Sequence, residues 1–157
     1  MIYRYLDKME KACLIDRVKR FNIVGKQSMV YIEKQYAVDT GFRMLNTNLV
    51  HFEDTFFLEN IIYNELISRG YEVFTGKTYK GEVDFVVIDG RRKCFIQVAY
   101  YLQGQQTIDR EFGAFSPIGD ASPKYVLSLD RFDYSRDGIM HINIVDFLLG
   151  KKEISLT

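Results

Sequence analysis

Apolar positions along the chain recur with two periods, and the change of period divides it. In IYRYLDKMEKACLI, residues Tyr5, Leu6, Met9, Cys13 and Leu14 recur at three- and four-residue steps, which predicts a helix. From Ile15 the stretch IDRVKRFNI alternates as a strand does, GKQ supplies a turn, and SMVYIEKQYAVDTG reads as a second strand ending at Gly41. A helix followed by a β-hairpin corresponds to the back half of a winged-helix unit. Residues 1–47 are therefore expected to form a partial winged-helix-like segment, the tail of something longer.

A second unit is expected over 48–157. HFEDTFFLENIIYNELISRGYEV starts with acidic residues, which a helix N-terminus favours, and stops at Gly70, a suitable C-terminal cap. Strands are predicted at 71–77, 81–88 and 93–102, the last two joined by a hairpin turn at DGRR. TIDREFGAF (107–115) reads as a helix ended by Pro117 and Gly119, PKYVLSL (123–129) as a buried strand, and GIMHINIV (138–145) as a strand leading into the short helix DFLLGKK. The order α-β-β-β-α-β, then β-α, gives an α/β (α+β) fold with a central mixed sheet.

Strand alternation places candidate chemistry. In 81–88, Val83, Phe85 and Val87 are expected on one face and Glu82, Asp84 and Val86 on the other. In 93–101, Cys94, Ile96, Val98 and Tyr100 share one face, and Phe95, Gln97, Ala99 and Tyr101 the other. A hairpin would make Asp84 and Gln97 neighbours. Helical spacing puts Glu59 on a stripe with Thr55, Ile62 and Leu66. Glu59, Asp84 and Gln97 are thus expected to converge, with Tyr101 lining the same face.

Composition narrows the choices. With 157 residues, 47% hydrophobic and 15% aromatic, the chain can bury one good core. No apolar run reaches the ~18 residues that suggest a membrane span, and the charged N-terminus does not read as a signal peptide. A cytoplasmic location is expected, with Cys13 and Cys94 as reduced core residues. The two histidines lie far apart, which argues against a structural zinc site. Net charge is zero, unlike a typical non-specific DNA binder, but residues 1–44 hold nine Lys/Arg against five Asp/Glu. Arg17, Lys19, Arg20 and Lys26 in that basic part are candidate nucleic-acid contacts, with Tyr101 as a candidate stacking residue. A solvated surface explains the same charges.

The combination of a helix bearing Glu59, a strand bearing Asp84 and a following strand bearing Gln97 resembles the PD-(D/E)XK, or restriction-endonuclease-like, nuclease superfamily. More closely, LENIIYNELISRGYEVFTGK, GEVDFVV, FIQVAY and TIDREFGAF…PKYVLSLD, with the helix around Tyr5 to Cys13 and the stretch Lys34 to Arg43, resemble the uncharacterised C-terminal domain of a family of prokaryotic AAA-type ATPases. The resemblance covers nearly the whole chain. It implies a restriction-endonuclease-like core and an ATPase domain upstream as a partner. Nothing here matches GxxxxGK(S/T), so ATP would bind only in that upstream domain. Carried over, Glu59 is the helix acid, Asp84 the strand acid, Gln97 the acid of the last motif, and Val98 a backbone-carbonyl ligand of a possible Mg²⁺; no cofactor is otherwise required.

The pattern breaks at the lysine, whose place is taken by Ala99. Gln97 is also a weaker Mg²⁺ ligand than a carboxylate. A displaced cation would have to come from Arg110, Lys77 or Lys80. Each site residue has a plainer reading as well. Asp84 could pair with Arg91 or Lys93, and Gln97 could bond across the strands. Glu59 could sit at a helix dipole, Arg110 could pair with Glu111 or Asp109, and Tyr100 and Tyr101 could simply pack. His141 reads as a satisfied structural histidine, and His51 has no visible partner. The leading expectation is a nuclease-like module of an ATPase, catalytically weak or inactive, that binds nucleic acid or regulates. The alternatives are an active Mg²⁺-dependent nuclease with a relocated cation, or a protein-interaction domain, which the aromatic content also suits.

Overall fold

A computed structural model describes residues 2–42 and 54–156. The expected boundary at 47/48 and His51 lie outside the described residues. In chain order the elements are α1 (Ile2–Lys11), β1 (Ile15–Asn22), β2 (Gln27–Ala37), α2 (Asp54–Ser68), β3 (Glu72–Lys77), β4 (Glu82–Asp89), β5 (Arg92–Val98), α3 (Gln105–Gly113), β6 (Lys124–Ser128), β7 (Ile139–Asn143) and α4 (Ile144–Leu148). The fold is α+β around one mixed sheet of seven strands in the order β2-β1-β3-β4-β5-β6-β7, with β4 at its centre.

The strands β3, β4 and β5 are antiparallel neighbours, while β5, β6 and β7 run parallel. The β4–β5 hairpin turns on two residues, and Gly90 there has φ 62, a left-handed conformation that glycine adopts without strain. The N-terminal hairpin continues the same sheet. β1 pairs in parallel with the end of β3, Arg20–Asn22 against Thr75–Lys77. Gly76 lies at this junction: a Cβ there would come within 2.8 Å of the Ile23 side chain and 3.1 Å of Val83, so the close approach requires a glycine.

Both faces of the sheet are covered, which explains the nearly unbroken apolar runs of β4, β5 and β6. On one face Leu58, Ile62 and Leu66 of α2 and Phe147 of α4 pack on Phe85, Val87, Ile96 and Leu127. On the other, Phe112 of α3 with Phe115 and Ile118 packs on Val86, Phe95, Ala99 and Val126.

One departure from simple alternation matters for the site. Phe74 pairs with Val86, but Gly76 pairs with Val83, so Asp84 and Phe85 together stand opposite the single Thr75. This β-bulge reverses the faces beyond it. Val83 and Phe85, expected on one face, belong to opposite layers. Cys13 departs too. It follows α1 with φ 54 and is exposed, not a core residue; Cys94 is buried, its thiol pushed up to about 12 by burial, and both are free. None of the residues of α1 is buried.

Candidate functional site

The β4 and β5 ladder ends at the pair Phe85–Ile96. Beyond it β5 turns to β6, and the Ala99 amide donates to the Leu127 carbonyl. The Val98 amide, freed from β4's backbone, donates to Asp84 Oδ2 at 2.8 Å, and the Asp84 amide donates to Gln97 Oε1 at 3.3 Å. A carboxylate and a carboxamide thus stand in for ladder carbonyls where the strands part. Into this fork opens a cleft of about 720 Å³ between α2 and α3, lined among others by Lys34, Glu59, Asp84, Gln97, Arg110 and Glu111.

Glu59 reaches the cleft because it shares the inward face of α2 with the buried Leu58, Ile62 and Leu66. It is 3% exposed and lies more than one turn into the helix, so it binds side chains and does not cap the N-terminus. The Lys34 ammonium and the Tyr36 hydroxyl both donate to its Oε1. Both partners come from β2, and their spacing of two puts them on one face of that strand. Tyr36 is fixed by stacking on Tyr63 with ring centroids 4.3 Å apart. Lys34 Nζ lies 5.6 Å from the Tyr36 ring centroid and 5.7 Å from that of Phe56, within cation–π range.

On the α3 side, Gln97 Nε2 donates to Glu111 Oε2 at 3.0 Å, and Arg110 Nη2 donates to Glu111 Oε1 at 2.6 Å. The chain of contacts therefore runs Arg110–Glu111–Gln97–Asp84 on one side and Lys34–Glu59 on the other. Burial pushes the Asp84 carboxyl up to about 8; the nearby Glu59 charge adds to this, while the Val98 amide and Lys34 oppose it. Burial and the Glu59 charge likewise raise the Tyr36 phenol above its ordinary value, so that hydroxyl stays protonated.

The structure brings Glu59, Asp84, Gln97, Val98 and Arg110 to one cleft. Arg110 is engaged with Glu111, the plainer of its two sequence readings. Of the other cations considered, Lys80 reaches the rim, where it donates to Ser116 Oγ, whereas Lys77 lies near Glu82 outside the lining. Asp84 does not pair with Lys93, which binds Asp120 at 2.5 Å. Tyr101 is not part of the lining; it meets Tyr100 edge to face and is 40% exposed. Of the four N-terminal basic residues singled out, two are engaged by acids. Arg17 is held by Asp7, Glu10 and Glu33, and Arg20 by Glu82 at 2.8 Å, while Lys19 and Lys26 are exposed.

Two residues of the cleft escaped the sequence reading. Glu111 is buried on the apolar stripe of α3 with Phe112, the stripe spacing being Ile108, Glu111, Phe112 and Phe115. A charged residue inside such a stripe was a readable signal. Lys34 was less so: it sits far from the acids in sequence, and only the buried Tyr36 two residues later marks its face as inward.

Some of the oxygens that a divalent ion would use here are already engaged by the chain itself. Among the described residues, no three His, Cys, Asp or Glu side chains group so as to hold a metal. Lys34 and Tyr36 both meet Glu59 Oε1, the Asp84 amide meets Gln97 Oε1, and the Val98 amide meets Asp84 Oδ2.

No family model matches the chain, and no solved structure matches it. A protein of Haemophilus influenzae described as uncharacterized is 31% identical over 149 residues, 94% of this chain and 36% of the relative. The chain therefore spans about a third of the length of that relative. Among the described residues no helix is long and apolar enough to cross a membrane.

Proposed function

We propose that this chain is a restriction-endonuclease-like domain with a degenerate PD-(D/E)XK site, catalytically weak or inactive, that serves a longer ATPase-containing protein as a nucleic-acid-binding or regulatory module. The observation that carries the reading is the fork between β4 and β5, where Asp84 and Gln97 meet across the strands and Glu59 faces them from α2. The element order α2-β3-β4-β5-α3-β6 agrees with the αβββαβ core. The weakness follows from position 99. Ala99 is 3% exposed in the apolar layer with Phe112 and Leu102, so the strand offers the cleft no ammonium. A preorganised group at developing charge commonly contributes a factor of about 10²–10³ in rate.

At the cleft itself the cations facing a phosphate backbone are Lys80 and Arg110, the latter shared with Glu111. With so few there, DNA binding at the cleft should be weak and shallow in its salt dependence. The test is retention of a short duplex and a single strand at stepped salt. Micromolar or weaker binding that fades as salt rises, and that Lys80→Ala with Arg110→Ala lowers further, is expected. No retention even at the lowest salt would remove the nucleic-acid role.

A second reading, a protein-docking domain, is favoured by α1. Its Ile2, Tyr3 and Tyr5 are 73%, 68% and 62% exposed on a helix with no buried residue. On that reading α1 packs against another part of the longer protein.

A further inference from the structure

Three observations on the cleft concern its charge. Glu59 is almost fully buried, and its side chain meets the Lys34 ammonium and the Tyr36 hydroxyl. The ammonium is held from three directions, by the Glu59 carboxylate and by the Tyr36 and Phe56 rings at 5.6 and 5.7 Å. Its charge also acts on Asp84, across the fork from Glu59. The Glu111 charge adds to the pressure on Asp84, although Arg110 pairs with it and Gln97 bonds to it from the Asp84 side.

We propose that the Lys34 ammonium occupies the place of a divalent ion in this cleft: a cation built into the chain, which balances Glu59 and screens Asp84 so that the site excludes metal. The assignment rests on the nuclease-like reading only for the kind of ion replaced. The charge argument stands on the cleft itself. With Lys34 present, an arriving Mg²⁺ or Mn²⁺ would meet an ammonium that is bound to Glu59 and whose charge reaches Asp84. Like charges that close repel strongly where water is scarce. The ammonium and the Tyr36 hydroxyl also both occupy Glu59 Oε1, one of the two oxygens that a metal would use. Removing the one charge exposes two hard oxygen ligands on opposite walls, Glu59 and Asp84, with the Val98 backbone beside them; one or two carboxylates are a common protein contribution to a Mg²⁺ site. The N-terminal hairpin then has a role in the site. By placing β2 over α2, it supplies the cation that the strand position Ala99 does not.

The proposal is tested by Mn²⁺ titration of the whole chain, followed by calorimetry and by the electron-spin resonance of free Mn²⁺. Wild-type protein should show no saturable site. Lys34→Met should bind one Mn²⁺ at least tenfold more tightly than wild type, and Asp84→Asn or Glu59→Gln added to it should abolish that gain. Lys34→Gln, which keeps a hydrogen bond to Glu59 without the charge, provides a second variant should Lys34→Met fail to fold, and is expected to gain binding in the same direction. Saturable Mn²⁺ binding by the wild type that Asp84→Asn removes would overturn the proposal. So would variants without the charge that fold and bind no more tightly than wild type. These outcomes are independent of DNA retention: a protein that never binds DNA loses its nucleic-acid role, while the Mn²⁺ result still decides what Lys34 does.

Discussion

Two polar clusters are set into this sheet, and they differ in how their charges are settled. At the end of β6, Ser128 donates to Asp130 Oδ2 at 2.8 Å and lies 2.9 Å from Nε2 of His141, in the middle of β7. Since the serine proton goes to Asp130, Nε2–H must donate to Ser128 Oγ, which leaves Nδ1 to accept from the Tyr134 amide at 3.5 Å. Asp130 Oδ2 also receives the Leu102 amide at 2.7 Å. This is not a nucleophilic arrangement: the acid bonds the serine directly, and Ser128 is fully buried. Its neutral histidine fits, because burial holds the imidazole below its ordinary value. The network ties the loop after β6 to the segment after β5. At the parting of β4 and β5, by contrast, the three acids Glu59, Asp84 and Glu111 share the two cations Lys34 and Arg110, Asp84 is displaced towards the protonated form, and a cleft lies open. The difference teaches that buried polar residues alone do not mark a site; charge left in tension beside open volume does.

Substitutions can break or sharpen that contrast, beginning with the largest effect. Ala99→Lys, which would restore the superfamily's lysine in sequence, should not restore it in space. It places an ammonium among Phe112, Leu102 and Val83, and a loss of about 3 kcal/mol or more in chemical denaturation is expected. Lys34→Met without metal leaves Glu59 unpaired. Because the Lys34 side chain is 26% exposed, the expected loss is roughly 2–3 kcal/mol, below that of a fully buried pair, and Lys34→Met with Glu59→Gln should recover most of it in a double-mutant cycle. In the settled cluster, Ser128→Ala strands His141 Nε2–H and should cost about 1–2 kcal/mol, with no effect on any metal or DNA binding.

Smaller effects appear in the pH dependence of stability. Asp84 has a raised value in the folded chain, so its contribution is present below the unfolded carboxyl value and is lost as pH rises through about 8. Asp84→Asn keeps an acceptor for the Val98 amide and should raise stability near about pH 9 by about 1 kcal/mol, with little gain in acid. His141 has the opposite sign. Its value is lowered, so the unfolded chain takes up the proton first, and stability falls as pH drops below the ordinary imidazole value of 6.5. His141→Gln should flatten that acid limb by less than the Asp84→Asn effect. Thermal melts across pH measure both.

Much of this was readable in the chain. Periodicity located β1 to β7 and the main helices to within a few residues, because strands buried on both faces and amphipathic helices leave clear patterns. It also brought Glu59, Asp84 and Gln97 together, since alternation and hairpin pairing are local. The bulge at Asp84 and Phe85 was not readable: nothing in GEVDFVVI marks the extra residue, which arises from how β4 meets Gly76 and Thr75 on β3. The joining of the N-terminal hairpin to the sheet was hidden for the same reason, because the parallel pairing of Arg20–Asn22 with Thr75–Lys77 spans distant sequence. Lys34 followed from that pairing, so the cation of the cleft was sought on the turn and on α3 and found on β2.

The most direct test of the account is a supercoiled-plasmid nicking assay with the wild-type chain in Mg²⁺ and in Mn²⁺, run beside Asp84→Ala at equal concentration. The account requires the two proteins to be indistinguishable, because Lys34 takes up Glu59 and Ala99 supplies no charge to the phosphate. Metal-dependent nicking by the wild type that Asp84→Ala abolishes would contradict it, and would make the cleft a working nuclease site.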